Sequence, residues 1–443
     1  MDRRCGAEPA AVPAPGGGIV TPADLIARAR ELDAADPLGR LRGRFALPRA
    51  ADGTPLVYFC GHSLGLAPLA ARQKVNEELQ DWEQLGVEGH HRSRRPWIDY
   101  AELLQPGLAR LVGAQPAEVV AMNSLSINLH LLLASFYRPQ GRRRCIVIER
   151  GAFPSDRHAV ASQLQWHGIS PQEALLEVDA DADALVDEAT LEALLRQRGE
   201  EIALVLWPGV QYLTGQSFDL PRIAGATHAA GALCGFDLAH SIGNTPLSLH
   251  DGGADFAVWC SYKYLNAGPG AIGGAFVHSR HARAQLPGLA GWWGHDRGSR
   301  FQMEPEFLPS AGAAGWQVSN PPILSTAPLL ASLQIFEEAG MPALRAKSQA
   351  MTALLLQGIE ACGGAIASIT PHDTARRGCQ LSLRVHAGRE AGRRLFDSLA
   401  QQGVVADWRE PDILRFAPVP LYNTFGEVAR FCALLAAAVE RRA

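Results

Sequence analysis

The chain has 443 residues, 41 of them basic and 45 acidic, with a formal net charge of −4 at pH 7. So even a balance supplies no concentrated basic face, which argues against nucleic acid or an anionic membrane as partner. With 47% hydrophobic and 19% charged residues, the composition is that of a globular protein that buries a sizeable core without staples, as a large domain plus a smaller one.

The eight cysteines are scattered, with no CxxC pair and no Cys/His ligand spacing. Neither a disulfide framework nor structural zinc is expected, and a reducing cytosol suits such a chain. No apolar run approaches the ~18 residues that span a bilayer. Residues 1–20 carry charges but no apolar signal core and read as a disordered tail.

Thr21 and Pro22 stand in N-cap order at the start of a helix, with Asp24 near its positive end. A turn-rich stretch covers 36–55. Over 68–85, Val75, Leu79, Trp82 and Leu85 recur near helical spacing, which predicts an amphipathic helix with Lys74 solvated on its polar side. From about residue 117, short apolar runs alternate with helical stretches: 145–149, 202–207, 232–237, 255–260 and 271–277. Unalternated runs of this length are what strands buried on both faces look like, and helices between them imply a mostly parallel sheet. Helices are expected over 325–339 and 344–358. Strand patterns at 379–385 and 413–418, with helices near 390–401 and 425–441, predict a small C-terminal α+β domain. No internal repeat is visible.

In an α/β sheet ligands gather at the carboxyl ends of the strands. Only three of the 41 basic residues are lysines, Lys74, Lys263 and Lys347, and one of them lies there. Lys263 follows the 255–260 run and precedes a glycine-rich turn, where partial desolvation makes an amine nucleophilic toward a carbonyl. Lys347, inside a helical stretch, reads as a surface lysine. Asp237 ends the 232–237 run, the position of a carboxylate that keeps a pyridinium nitrogen protonated and makes pyridoxal phosphate an electron sink. Taken singly, Asp237 is also a turn or cap residue, and His240, three residues on, a structural histidine. The order Asp, His, Lys after successive strands is what carries the reading.

The stretch MNSLSINLH (122–130) puts small polar residues at the entrance of an apolar helix, so Leu125 and Ser126 are candidates for phosphate binding through free N–H groups, or for simple capping. Gly268, Gly270 and Gly273 match GxGxxG literally, but they run into an apolar strand and no ribose-binding acid follows. They read as a tight turn with close backbone approach. His90 with His91, or His278 with His281, lacks a ligand set, and no metal is expected.

The blocks YFCGHSLGL (58–66), WEQLGVEGH and RRPW (82–97), MNSLSINLHLLLASFYRP (122–139), FPSD (153–156), GVQYLTGQ (209–216), GFDLAHSIGN (235–244), WCSYKYLNAG (259–268), GWWGH (291–295), SNPPIL (319–324) and LRFAPVPLYN (414–423) resemble kynureninase, a pyridoxal-phosphate (PLP) hydrolase of the aminotransferase-like fold type I. The resemblance spans nearly all of the chain beyond the tail. It implies a large PLP-binding domain over 61–335, whose mostly parallel mixed sheet is flanked by helices. It also implies an N-terminal segment, 21–60, that completes the small domain, and a linker helix with the small domain over 336–443.

The same resemblance makes Lys263 the Schiff-base lysine, Asp237 the pyridinium partner and His240 a second cofactor contact. Phe153 and Asp156 would also meet the cofactor, and Leu125, Ser126, Tyr262 and Trp292 would surround its phosphate. Trp292 and Asn320 would reach the site from a neighbouring subunit, which implies a homodimer with shared sites. Arg415 would clamp the substrate α-carboxylate, which suits a planar guanidinium. His90, Ser319 and Asn320 resemble the set that favours 3-hydroxykynurenine, because polar donors engage the added hydroxyl. Pro208 departs from the pattern, standing where relatives carry serine at a cofactor contact.

The reaction implied is hydrolysis of the Cβ–Cγ bond of an L-kynurenine to L-alanine and an anthranilate. Tyr262 is the expected general acid or base, its pKa lowered by nearby positive charge, or else only a phosphate contact. A cysteine desulfurase, an aminotransferase and a non-catalytic PLP-binding scaffold are the alternatives. No cysteine stands in a convincing mobile loop for the first, and the RRPW, GWWGH and SNPP blocks weigh against the second. The intact Lys263, Asp237 and Arg415 set weighs against the third.

Overall fold

The computed structural model describes residues 21–282 and 286–441; the expected tail lies outside them. The first helix, Pro22–Ala34, opens on a capping box in which the Thr21 hydroxyl accepts the Asp24 N–H and the Asp24 carboxylate accepts the Thr21 N–H at 2.9 Å. Both partners satisfy donors that a helix start leaves free.

The strands in chain order are β1 (Val57–Tyr58), β2 (Val119–Ala121), β3 (Cys145–Glu149), β4 (Leu175–Val178), β5 (Ile202–Pro208), β6 (Leu233–Asp237), β7 (Phe256–Cys260), β8 (Gly273–Val277), β9 (Ile366–Ser368), β10 (Leu381–Val385), β11 (Val404–Val405), β12 (Asp407–Arg409) and β13 (Ile413–Phe416). Seven form one sheet in the order β2-β8-β7-β6-β5-β3-β4. β8 alone is reversed, antiparallel to both β7 and β2. The five apolar runs are its five central strands, buried on both faces as their unalternated pattern required. The two edge strands were not anticipated. β2 is only three residues long, and β4 is half-exposed and interrupted by Glu177, so neither repeats long enough to show a period.

The smaller sheet, β12-β13-β10-β9, is antiparallel, and the two strands expected near the C-terminus pair with each other, Ser382 opposite Arg415. Its core also takes residues from the chain's start: Leu25, Val57 and Phe59 pack with Leu355, Phe416 and Phe431. β1 pairs in parallel with β11.

Three expectations are corrected. The helix Leu69–Leu85 exists, but its buried residues are Glu78 and Asp81, while Trp82 is 59% exposed. Glu78 accepts bonds from Arg95 Nε at 2.7 Å, Trp97 Nε1 at 3.0 Å and the Tyr100 hydroxyl at 2.8 Å. A carboxylate so fully paired is buried at little cost, while Val75, Leu79 and Leu85 are only half-buried. Lys74 on this helix is half-buried and pairs with Glu77 at 3.6 Å. Lys347 is no surface lysine either: its side chain is 6% exposed and meets Asp36 at 2.8 Å, itself 3% exposed. Removing one partner of such a pair strands the other. Lys347→Met is therefore expected to lose about 3 kcal/mol of unfolding free energy in urea, with part regained when Asp36→Asn is added.

Candidate active site

The carboxyl ends of β3, β5 and β6 and the turn after β7 open onto one cavity of about 190 Å³. Asp237 is the last residue of β6, in register with Pro208, the last of β5. Its Oδ1 accepts the Ala239 N–H at 2.7 Å, which fixes the carboxylate where the chain turns toward His240. Tyr262 and Lys263 enter the cavity just beyond β7. Lys263 Nζ lies 3.0 Å from His240 Nε2 and 5.8 Å from the centroid of the Phe153 ring. Phe153 precedes the Pro154–Trp166 helix, whose first turn carries Asp156.

Leu125 and Ser126 line the same cavity as the first residues of the Leu125–Phe136 helix, and the N-cap Ser124 makes no side-chain capping bond. Unbonded N–H groups at a helix start suit an anionic oxygen cluster. Glycine is required beside them, since a Cβ on Gly273 would stand 2.9 Å from the Trp259 carbonyl oxygen and 3.1 Å from the Leu125 nitrogen. Gly268 and Gly270 turn the chain at φ of +88° and +70°. The glycine-rich segment is a turn with close approach, as expected.

Burial, and then the Lys263 cation, hold the His240 imidazole well below its ordinary pKa. Neutral, it accepts from Lys263 at Nε2 and carries its proton on Nδ1, which has no partner. Burial and the adjacent Asp237 carboxylate push Asp156 well above the usual range. Burial pushes Glu149, the last residue of β3, up to about 8; a hydrogen bond with Gln211 opposes this and Asp237 adds to it. Tyr262 corrects an expectation: burial and the neighbouring Cys260 thiol push its hydroxyl up, not down, so at neutral pH it holds its proton. Glu149 Oε2, Asp156 Oδ1 and His240 Nδ1, all on residues that line the cavity, are buried without protein partners. Together with the lysine amine and the uncapped helix start, they fit a ring-sized group that is polar at several points and anionic at one end.

The remaining expected residues lie elsewhere. Arg415, on β13, is fully buried and forms no wall of the cavity. Its Nη1 donates to the Tyr212 carbonyl at 2.6 Å, its Nη2 to Asp407 and to Ser63 Oγ, and its Nε has no partner. Ser319 and Asn320 are exposed. Trp292, 50% exposed, donates its indole N–H to the Arg300 carbonyl at 3.0 Å. His90 sits edge-on to Trp97 at 5.3 Å between ring centroids. None of these last four lines the cavity of the single chain. Glu149 and Tyr212 line the cavity but received no role from the sequence; Tyr212 stands edge-on to Phe153 at 5.1 Å. The one available signal was their place just at or after a strand end.

A mixed seven-stranded sheet with a lysine and an aspartate at its strand ends, plus a small C-terminal sheet, defines the architecture of the fold type I PLP enzymes. A cystine C-S lyase-type structure, C-DES solved with glycine covalently linked to its PLP cofactor, superposes with a TM-score of 0.72 at 19% identity, over 86% of this chain and 96% of that one. The kynureninase of Xanthomonas euvesicatoria pv. vesicatoria (strain 85-10) is 58% identical over 412 residues, 92% of this chain and 97% of the relative. That of Xanthomonas campestris pv. campestris (strain B100) is 58% identical over 399 residues, 90% and 94% respectively. The model of the kynureninase C-terminal domain matches residues 344–435. The chain belongs to the kynureninase family.

Asp407 also meets Arg409 at 3.1 Å and stands in register with Arg415. Burial raises its carboxyl, but His62, the Arg415 guanidinium and the Ser63 hydroxyl outweigh that and hold it well below the usual range. Its native pKa being depressed, its contribution is complete above the unfolded value of about 3.9 and shrinks by about 1.4 kcal/mol per unit as pH falls below it. Asp407→Asn is expected to cost about 3 kcal/mol at neutral pH, with the gap to wild type closing in acid when urea midpoints are compared.

Proposed function

We propose that this chain is a PLP-dependent hydrolase that cleaves the Cβ–Cγ bond of L-kynurenine, 3-hydroxy-L-kynurenine or both, releasing L-alanine and the corresponding anthranilate. The observation that carries the reading is one cavity holding Lys263, His240 and Asp237 in a chain 58% identical to kynureninases over most of its length. Lys263 would offer its amine to the cofactor carbonyl, and Asp237 would serve the pyridine nitrogen with Asp156 beside it. Phe153 and His240 would meet the ring, and the Leu125 and Ser126 N–H groups with the Tyr262 hydroxyl would take the phosphate. Pro208 lines the cavity without a hydroxyl to add. Bound there, PLP supplies a sink for the electron pair left when a substrate bond breaks.

The protein's own groups then move protons. Lys263, oriented by neutral His240 accepting its N–H, would be the base for the substrate α-proton. Tyr262, which keeps its proton at neutral pH, acts as a general acid in the later transfers. Arg415 binds the α-carboxylate, its free Nε being the donor still available. His90, Ser319 and Asn320 serve the ring hydroxyl of 3-hydroxykynurenine.

The active unit is a homodimer in which Trp292 and Asn320 complete the neighbour's site. Supporting this, both lie away from their own chain's cavity while exposed, and Trp82, Trp292 and Leu324 are uncovered apolar surface. The small domain is built from 21–60 together with 336–443, the large one from 61–335; residues Leu25, Val57 and Phe59 in the second core favour that division. No described helix is long and apolar enough to cross a membrane, and seven described cysteines are free, which supports a place in the cytosol.

Wild-type protein given either kynurenine is expected to form alanine and the matching anthranilate in equal amounts, and Lys263→Ala to form neither while remaining folded. Cofactor binding without product would sink the reading. A higher kcat/KM for 3-hydroxykynurenine, reversed by His90→Trp, is the expected signature of the polar set. Co-expressing Lys263→Ala with Trp292→Ala should restore activity that neither variant has alone if sites are shared.

A further inference from the structure

We propose that Glu149 is a positioning residue of the cofactor site that stands in the cavity as a neutral carboxylic acid, so that Glu149, Asp156 and Asp237 together present a single negative charge to a protonated pyridine nitrogen. The inference rests on the PLP reading of the cavity and goes beyond it by assigning a role and a protonation state to a residue with neither.

The geometry favours the protonated carboxyl at neutral pH. Glu149 is 2% exposed, lines the cavity, and its Oε2 has no hydrogen-bond partner. Among the described residues no lysine, arginine or histidine lies within ion-pairing distance of it. β5 offers it only Trp207 and Pro208, β4 offers Val178 in register, and the turn after β5 offers the neutral amide of Gln211. That amide also bonds elsewhere, its Oε1 accepting the Thr214 N–H at 2.9 Å and its Nε2 donating one N–H to the Gly151 carbonyl at 3.2 Å, so to Glu149 it offers a neutral donor and no counter-charge. The charged groups that face it are acids: Asp237 from β6, and Asp156 from the Pro154–Trp166 helix beyond it. Lys263, which lines the same cavity, acts on Asp156 and is bonded to His240. An unpaired carboxylate in such surroundings takes up a proton rather than bear the cost of desolvation.

Charge matching gives this state its use. Asp156 and Asp237 are close enough to share one proton, so the pair carries one negative charge. A second charge on Glu149 would oppose it without a counter-ion. A neutral carboxyl instead contributes an O–H donor as well as an acceptor, which a carboxylate lacks. It can therefore hold the acids at the strand ends in one arrangement without adding charge.

The test uses the full chain. Near neutral pH, the infrared difference between Glu149→Gln and wild type, without added cofactor, is expected to show loss of a protonated-carboxyl C=O band, and that band in wild type should titrate away with a midpoint of about 8. Loss of a carboxylate band in its place overturns the proposal. Wild type labelled at the glutamate side-chain carboxyl carbon supplies the same answer by NMR if the variant does not fold: one glutamate titrating far above the rest supports it, and all titrating in the ordinary range overturns it. For the positioning role, Glu149→Gln should hold PLP within about threefold of the wild-type Kd, and Glu149→Ala should weaken it about tenfold, the worth of one hydrogen bond. An alanine variant that binds as tightly as wild type, or a glutamine variant as weak as alanine, counts against the role. Failure of wild type to bind PLP at all would instead bring down the cofactor reading.

Discussion

The shared register of the parallel strands is the constraint on which the site depends. Because Trp207 pairs with Phe236 and Pro208 with Asp237, β5 and β6 stop together, and β3 ends beside them at Glu149. The side chains that follow converge on one edge of the sheet. A slip of one residue in β6 would send Asp237 to the opposite face, and its bond to the Ala239 N–H, which starts the turn to His240, would be lost with it. The reversed strand β8 then brings Gly273 against the start of the Leu125–Phe136 helix, so the uncapped helix end faces the same cavity as the lysine.

Electrostatically the site is two cations kept apart. Lys263 stands at the large sheet and Arg415 in the small one, and between them lie two buried imidazoles, His240 and His62, with ring centroids 6.5 Å apart. Burial first, and then Arg415, pull His62 down to about 4, and burial with Lys263 does the same for His240. Both rings are held neutral because burial and a nearby cation outweigh whatever favours a proton on them. His62 approaches Asp407 only to 3.7 Å, and that carboxylate is already held by two guanidiniums. On the other flank acids cluster: burial and the neighbouring Asp237 push the Asp156 carboxyl well above the usual range, and burial raises that of Glu149.

How far the site was legible follows from what pattern can encode. The five central strands announced themselves because a strand buried on both faces admits only apolar residues, and their ends located Lys263, Asp237 and His240. The edge strands β2 and β4 left no such mark. The helix Leu69–Leu85 was legible as a helix but not in its orientation, since Glu78 and Asp81 turn inward toward Arg95, Trp97, Tyr100 and Arg94, partners distant in sequence. Lys347 was misjudged for the same reason, its partner Asp36 being supplied by the chain's other end. Tyr262 was expected to sit in positive charge and is governed instead by burial and Cys260.

The sequence by itself determined the order of the strands' ends, the identity of the one lysine that follows a buried strand, and the family to which the blocks around it are similar. These are local: they depend on runs of a few residues and on which side chains can do a given chemistry. Only the tertiary structure decided which ionisable groups share a cavity and which are separated from it. It placed Glu149 beside Asp237, locked Arg415 to Asp407, and left Trp292 and Asn320 outside their own chain's site. Protonation and pairing are set by desolvation and by neighbours brought from far along the chain, and neither quantity is written in the spacing of residues.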